Sequence, residues 1–362
     1  MKNAKKTYRE QEKQKAVNLI NNSQIFNGDT GKKPYFLKGA WHPKADLLMD
    51  WKNNLYAHLK EEVLLYFALN KIAFHHSSGE LEEGFCVPSG HALSSQISCI
   101  NHLYPLRYDK KAVLEIARTI CPDFTDVLEI TTDSFLPGYI AFEVVSDIDH
   151  LNEKANSRGT MCTSIDALIY AQHENGKKYL LPIEWKYTEC YFEDADKEGY
   201  VEYEGKYFKD YSIEDRYKEK EGKGKERLRR YCESGLIDKS AQLKSLPLNE
   251  YKNSVYFFEP FYQLMRQTLW AEQMIAYKDT ETIKADDFIH IHVVPEENTE
   301  LLSQKYPCSQ QDMKTTWENC LSDQEKYQII TPKELLKLLT KNVIYRNKYA
   351  DLASYLSTRY WN

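Results

Sequence analysis

The chain of 362 residues contains no apolar run near the roughly 20 residues that cross a bilayer, so a soluble protein without a membrane partner is expected. Its eight cysteines (Cys86, Cys99, Cys121, Cys162, Cys190, Cys232, Cys308 and Cys320) include no C-x-x-C pair and follow no secretory signal. That spacing argues against structural zinc and predicts a reducing, cytoplasmic setting. The sequences G-x-x-x-x-G-K-[ST] and G-x-S-x-G, the Rossmann glycine fingerprint and zinc-finger spacing are all missing, as is any internal repeat. An ATP-driven motor, a methyltransferase and a nucleotide cofactor are therefore not expected. Net positive charge is lacking too: the formal charge is −6, so any grip on nucleic acid must come from a local basic surface.

What is present is a chain that is 42% hydrophobic and 13% aromatic. It can bury a substantial core, as one elaborated domain or as a domain with helical extensions. Two strand-like runs, 163–171 and 180–189, flank the turn signal Glu174-Asn175-Gly176-Lys177. Side chains two apart on a strand share a face, so Glu184 and Lys186 project together toward Asp166 on the neighbouring strand. Paired carboxylates repel, and a buried lysine tends to lose its proton. Such a cluster is costly unless a hard divalent cation and a water occupy it, a composition that suits metal-assisted hydrolysis of a phosphodiester. The turn supplies a check. A two-residue Asn175-Gly176 hairpin sets Asp166 opposite Trp185, on the wrong face for Glu184, whereas a three-residue loop or one bulge restores Asp166 opposite Glu184. One of these irregularities is predicted.

Asp166 followed by Glu184-x-Lys186 resembles the PD-(D/E)xK nuclease superfamily. Further blocks sharpen the likeness: His91-Ala-Leu-Ser94-Ser95-Gln96, Asn101 to Leu106, and Glu259-Pro-Phe-Tyr-Gln263-Leu-Met-Arg266-Gln267. With 163–166 and 184–189 they resemble a bacterial family of restriction-endonuclease-like proteins across the middle half of the chain. Ile165 stands where the superfamily name has Pro. The resemblance implies an α/β fold with a mixed β-sheet flanked by helices. Asp166 and Glu184 would hold Mg²⁺, with Mn²⁺ as a substitute, and Lys186 would orient or deprotonate the attacking water, with DNA as substrate. Whether Lys186 serves as base or as electrostatic stabiliser stays open, as does homodimer formation. Glu143 and Glu153 are both candidates for a further metal ligand, and Glu189 for an outer acceptor that holds a basic partner.

Mainly helical additions are expected at both ends, with boundaries at 1–85, 86–300 and 301–362. In the first, the apolar spacing from Asp46 to Ala73 predicts one long helix. Ser94 or Ser95 caps a helix, which leaves Gln96 unexplained. Lys110 to Ile120 reads as an amphipathic helix and Gly138 to Val145 as a strand. From Tyr217 to Tyr231 seven basic residues, Arg227 and Arg230 among them, face three acidic ones; Gly222 and Gly224 suit a loop closing over a phosphate backbone. On the helix opened by Pro260, the residues Gln263, Arg266, Gln267 and Trp270 form one stripe, a candidate hold on DNA phosphate or water. His290 and His292 read as a satisfied pair on a sheet face, and Thr331-Pro332 as a capped helix start. Two other classes remain in view: a catalytically idle binding protein of the nuclease fold, and a hydrolase of a small phosphorylated compound.

Overall fold

The computed structural model describes residues 6–37, 40–72, 81–82, 85–86, 90–132, 137–154, 162–194, 196–213 and 223–361. Its centre is a mixed sheet of six main strands: β1 (Phe124–Leu128), β2 (Ile140–Val144), β3 (Ile165–His173), β4 (Lys178–Trp185), β5 (His290–Val293) and β6 (Tyr327–Ile330). The order is β6-β5-β4-β3, with β1 and β2 sharing the free edge of β3. β3 runs antiparallel to β1, β2 and β4, whereas β5 is parallel to β4 and β6 to β5. Two more residues, Asp287 and Phe288, continue the β5 register on β4.

The β3–β4 hairpin has a three-residue loop, one of the two irregularities predicted. His173 N–H donates to Lys177 O at 2.9 Å, and Gly176 N–H to His173 O at 3.0 Å. Gly176 adopts φ +84°, a left-handed position that glycine takes without steric cost. Pairing runs from Gln172 with Lys178 to Ala167 with Ile183, so the next step sets Asp166 opposite Glu184.

Helices cover both faces, because each strand buries residues on both sides. Leu181, Ile183 and Trp185 face a core shared with α1 (Ser95–Leu103) and α2 (Lys110–Ile120). Full burial of such side chains contributes roughly 1.5–3 kcal/mol each. α2 begins at Asp109, whose carboxylate accepts from Lys111 N and Ala112 N, and it buries Ala112, Val113, Ile116, Ala117 and Ile120 along one stripe. On the other face α3 (Phe261–Ala276) packs against Leu168, Leu180 and Phe288. No helix among the described residues is long and apolar enough to cross a membrane.

The ends depart from the expected extensions. Tyr327–Ile330 is a sheet strand, and Val63, Phe67, Leu339 and Leu356 share one core with Ile183 and Trp185. The boundaries at 85 and 300 therefore separate no core from another. The expected helix from Asp46 is instead two 3₁₀ turns, Trp51–Asn54 and Ala57–Leu59, followed by an α-helix over Lys60–Leu69; Ala73 lies outside the described residues. The break has a cause far along the chain. Asn54 O accepts from Asn101 Nδ2 at 3.0 Å and from Arg359 Nη1 at 2.7 Å, while Tyr56 N donates to Asn101 Oδ1 at 2.8 Å. These bonds take the groups a helix would use, and Leu55 turns extended. Arg359 is buried, lies over the Phe26 and Tyr360 rings, and also reaches Asn54 Oδ1. Arg359→Met strands these acceptors in the core and should cost about 3 kcal/mol, read as a lower urea midpoint at unchanged slope.

Candidate active site

Register decides which acids meet. Phe142 pairs with Ala167 and Val144 with Ile165, so Glu143 stands across from Asp166, just as Asp166 stands across from Glu184. His292 pairs with Glu184 on the other side. Glu143, Asp166, Glu184 and His292 thus form one row across β2, β3, β4 and β5. Glu143 has φ +49°, a conformation that costs a non-glycine residue roughly 1–2 kcal/mol. Face alternation slips there: Phe142 and Ala167 belong to one core, Val144 and Ile165 to the other. Glu143 is held by Gln96 Nε2, donating at 2.6 Å, and by the Ser164 hydroxyl at 2.8 Å. That gives Gln96 its role, and Ser94 is the helix cap. Ser95 begins α1 half-buried, with no contact to this row among the described residues.

Glu184 and Lys186 are buried, at 3% and 5% exposure, yet charged groups surround them. Lys186 Nζ is ion-paired with Glu184 Oε1, donates to Gln263 Oε1 at 2.6 Å, and sits 5.4 Å from the centre of the Tyr191 ring. Gln267 donates from Nε2 to Glu184 Oε2, and its Oε1 meets His290 Nε2 at 2.8 Å. The His290 proton therefore fixes the Gln267 amide, and Gln267 holds Glu184. Burial pushes His290 down to about 3, so the ring is neutral. His292 Nδ1 bonds the Tyr327 hydroxyl at 3.0 Å, while its Nε2 is buried with no hydrogen-bond partner among the described residues. Asp166 accepts from Trp185 N–H at 2.7 Å. Burial, then Glu184 and Glu143, raise its carboxyl well above the usual range. Burial opposes the Lys186 charge, but Glu184, Tyr191, Glu189 and Asp166 outweigh it and favour the ammonium.

Glu143, Asp166 and Glu184 lie on adjacent strands and offer carboxylate oxygens of the kind a hard divalent cation takes, but as placed their oxygens do not all come within 4.8 Å of one another. A cation that drew them together would relieve the repulsion that raises Asp166.

Glu153 does not join them. Its oxygens accept from the Thr163 hydroxyl and the Tyr231 hydroxyl, each at 2.8 Å, and from Arg266 Nε at 3.2 Å. The upstream pair thus divides: Glu143 stands in the row, and Glu153 neutralises Arg266. Glu153→Gln leaves that guanidinium unpaired and should cost about 3 kcal/mol in urea unfolding while Mg²⁺ affinity holds. Glu143→Gln should weaken Mg²⁺, followed by calorimetry, by at least the roughly tenfold that loss of an outer partner produces.

The remaining candidates scatter. Glu189 accepts from Tyr187 N–H at 2.7 Å, closing a turn, and acts on Lys186 through its charge, with no ion pair of its own among the described residues. Gly224 lies in a helix, Lys223–Leu228, and not in a loop; residues 217–222 lie outside the described residues. Arg227 sits 4.4 Å from the Tyr211 ring centre, and Arg230 pairs with Glu226 at 3.2 Å. α3 is more enclosed than its polar stripe suggests, since Gln267 and Trp270 are buried beside Leu264 and Met265.

The residue missed outright is Glu259. It is buried and bonded to the Tyr211 hydroxyl, its Oε2 is unpartnered among the described residues, and its carboxyl is raised by burial against the pull of Lys186.

Cys121, Asp123 and His173 also cluster, with ligand atoms within 4.8 Å of one another. Here His173 Nδ1 accepts from Asn175 N–H at 3.2 Å. A neutral ring then carries its proton on Nε2, 4.0 Å from Asp123, the reverse of a metal-binding histidine. The cluster lies seven residues along β3 from Asp166, about 23 Å away.

A mixed sheet under helices, with Asp166, Glu184 and Lys186 at one strand end, defines a restriction-endonuclease-like protein. The chain belongs to the family described as Restriction Endonuclease associating with ARP, whose model matches residues 15–361. No curated protein and no solved structure matches the chain. The family is nuclease-like.

Proposed function

We propose that the chain is a metal-dependent deoxyribonuclease that hydrolyses DNA phosphodiester bonds. The reading rests on the register that sets Glu143, Asp166 and Glu184 side by side on three adjacent strands, with Lys186 ion-paired to Glu184. Asp166 and Glu184, with Glu143, would hold Mg²⁺ or Mn²⁺. When bound, the cation supplies Lewis acidity and a more acidic water. Gln267 and His290 hold Glu184 in place, so the carboxylate needs little reorganisation to act as a ligand. Lys186 carries positive charge to the point where negative charge develops on the phosphoryl oxygens, and Gln263 and Tyr191 steer its Nζ. As the ammonium that its acidic neighbours favour in the metal-free fold, it would stabilise charge and orient water. Gln96 and Ser164 align Glu143 with the row. The family description names association with ARP, and we infer that such a partner accompanies this chain when it acts.

Supercoiled and linear DNA incubated with the protein should be cut in Mg²⁺ and in Mn²⁺ and left intact in EDTA. Salt-sensitive binding without cutting in any metal would support the idle binding protein instead. Turnover of small phosphorylated compounds with no DNA affinity would support the third class.

A further inference from the structure

We propose that a cavity at the carboxyl ends of β4, β5 and β6 receives a nucleobase with an exocyclic amine, turned out of the strand being cut. The proposal rests on the nuclease reading and names a base-binding subsite beside its centre. Parallel strands open such crevices at their carboxyl ends. Here β4, β5 and β6 are mutually parallel and lead into Trp185–Tyr187, Pro295–Glu297 and Thr331–Lys333. Together with Tyr360 and Trp361 these segments enclose about 310 Å³.

The walls are aromatic and clamped. Trp185 Nε1 donates to Ser98 Oγ at 3.2 Å, and Trp361 Nε1 to His102 Nε2 at 3.0 Å. His102 Nδ1 in turn donates to Ser98 O at 2.7 Å, which fixes its tautomer as the acceptor for Trp361. His102 is 4.8 Å from the Trp185 ring and 4.6 Å from the Tyr360 ring, centre to centre. The N–H groups of both indoles are thus spent within the protein; Trp185 and His102 are buried, so the ring surface open to a ligand is that of the half-buried Tyr360 and Trp361. Flat π-surfaces held in fixed positions are what unstacked bases bind.

The mouth carries Glu296 and Glu297, both exposed, with Lys333 opposite them in sequence register. Two carboxylates disfavour a phosphate in the cavity and accept hydrogen bonds from base amines. Trp185 and Tyr187 flank Lys186 in the chain, each one Cα step of about 3.8 Å away. Trp185 faces the core on the side of β4 away from Gln263, the acceptor of Lys186 Nζ, and Lys186 itself lines the cavity. A phosphate at Lys186 and the base attached to a neighbouring sugar can therefore straddle the end of β4.

The test uses the full chain in EDTA with deoxyadenosine, deoxycytidine and thymidine, followed by calorimetry and tryptophan quenching. Deoxyadenosine and deoxycytidine should bind, with thymidine weaker. Trp361→Ala should weaken binding about tenfold, or about 1.4 kcal/mol, within the span of base stacking on an aromatic ring. Trp361→Phe should retain most of it. The double variant Glu296→Gln, Glu297→Gln leaves the walls intact and should erase the preference over thymidine; it serves if Trp361→Ala folds poorly. Absence of nucleoside binding, or binding indifferent to all of these variants, overturns the proposal while leaving metal-dependent cleavage standing. Nucleosides bound by a chain that cuts no DNA in Mg²⁺ overturn the nuclease reading, and the subsite with it.

Discussion

Asp166→Asn is expected to abolish metal-dependent DNA cleavage and to make the metal-free protein more stable. Both effects follow from one carboxylate. Asp166 faces Glu184 and Glu143 across two strands, and burial together with those charges raises its carboxyl well above the ordinary range. A carboxyl raised in the folded state contributes stability that is fully present below its unfolded pKa and is lost as pH rises through the folded value. At neutral pH the metal-free fold therefore carries that penalty. Asn keeps an oxygen for Trp185 N–H, which Asp166 now accepts at 2.7 Å, and carries no charge. A melting temperature raised by about 2 °C, the shift that about 1 kcal/mol gives a chain of this size, should appear at pH 7 and shrink toward pH 4. The native chain should be stabilised by added Mg²⁺, and that response should vanish in the variant. A variant destabilised at pH 7 that keeps its Mg²⁺ response would show that Asp166 is an ordinary buried acid.

Lys186→Ala should lower the cleavage rate about a thousandfold, the order seen when one group that stabilises transition-state charge is removed. Metal affinity should move the other way. Lys186 Nζ is ion-paired with Glu184, so its loss removes a cation from beside the metal ligands and frees Glu184 Oε1. Mg²⁺ measured by calorimetry should bind the variant at least as tightly as the native chain. Weaker binding in parallel with the lost rate would mean that Lys186 merely props the site open. Gln263→Leu, which strips the 2.6 Å acceptor from Lys186, should slow cleavage in the same direction by less.

The part of the site legible in the sequence was the part set by local rules. Asn175-Gly176 bounded the hairpin, and with one residue added to the loop the register of Asp166 against Glu184 followed from counting. Asp109 and Thr331 marked helix starts because each side chain can reach the free N–H groups of the next turn. What stayed hidden depended on distant chain. The choice of Glu143 over Glu153 turns on a left-handed residue in β2 and on Arg266, more than a hundred residues away, which claims the other acid. The helix expected from Asp46 fails because Arg359 and Asn101 take its carbonyl and N–H groups. The His290–His292 pair lies on a sheet face as expected but is not fully satisfied, since His292 Nε2 has no partner among the described residues, and the link of His290 to Glu184 through Gln267 appears only when α3 is laid over the sheet. Glu259 was legible as a helix opening and not as a neighbour of Lys186, since no pattern in one strand points at the end of another element.

The central claim is that the catalytic cation binds among Glu143, Asp166 and Glu184, and a Mn²⁺-soaked crystal measured at the manganese absorption edge tests it most directly. One anomalous peak is expected between these three carboxylates, with Lys186 displaced from Glu184 Oε1. No peak there, or a peak at Cys121, Asp123 and His173 alone, would contradict the account.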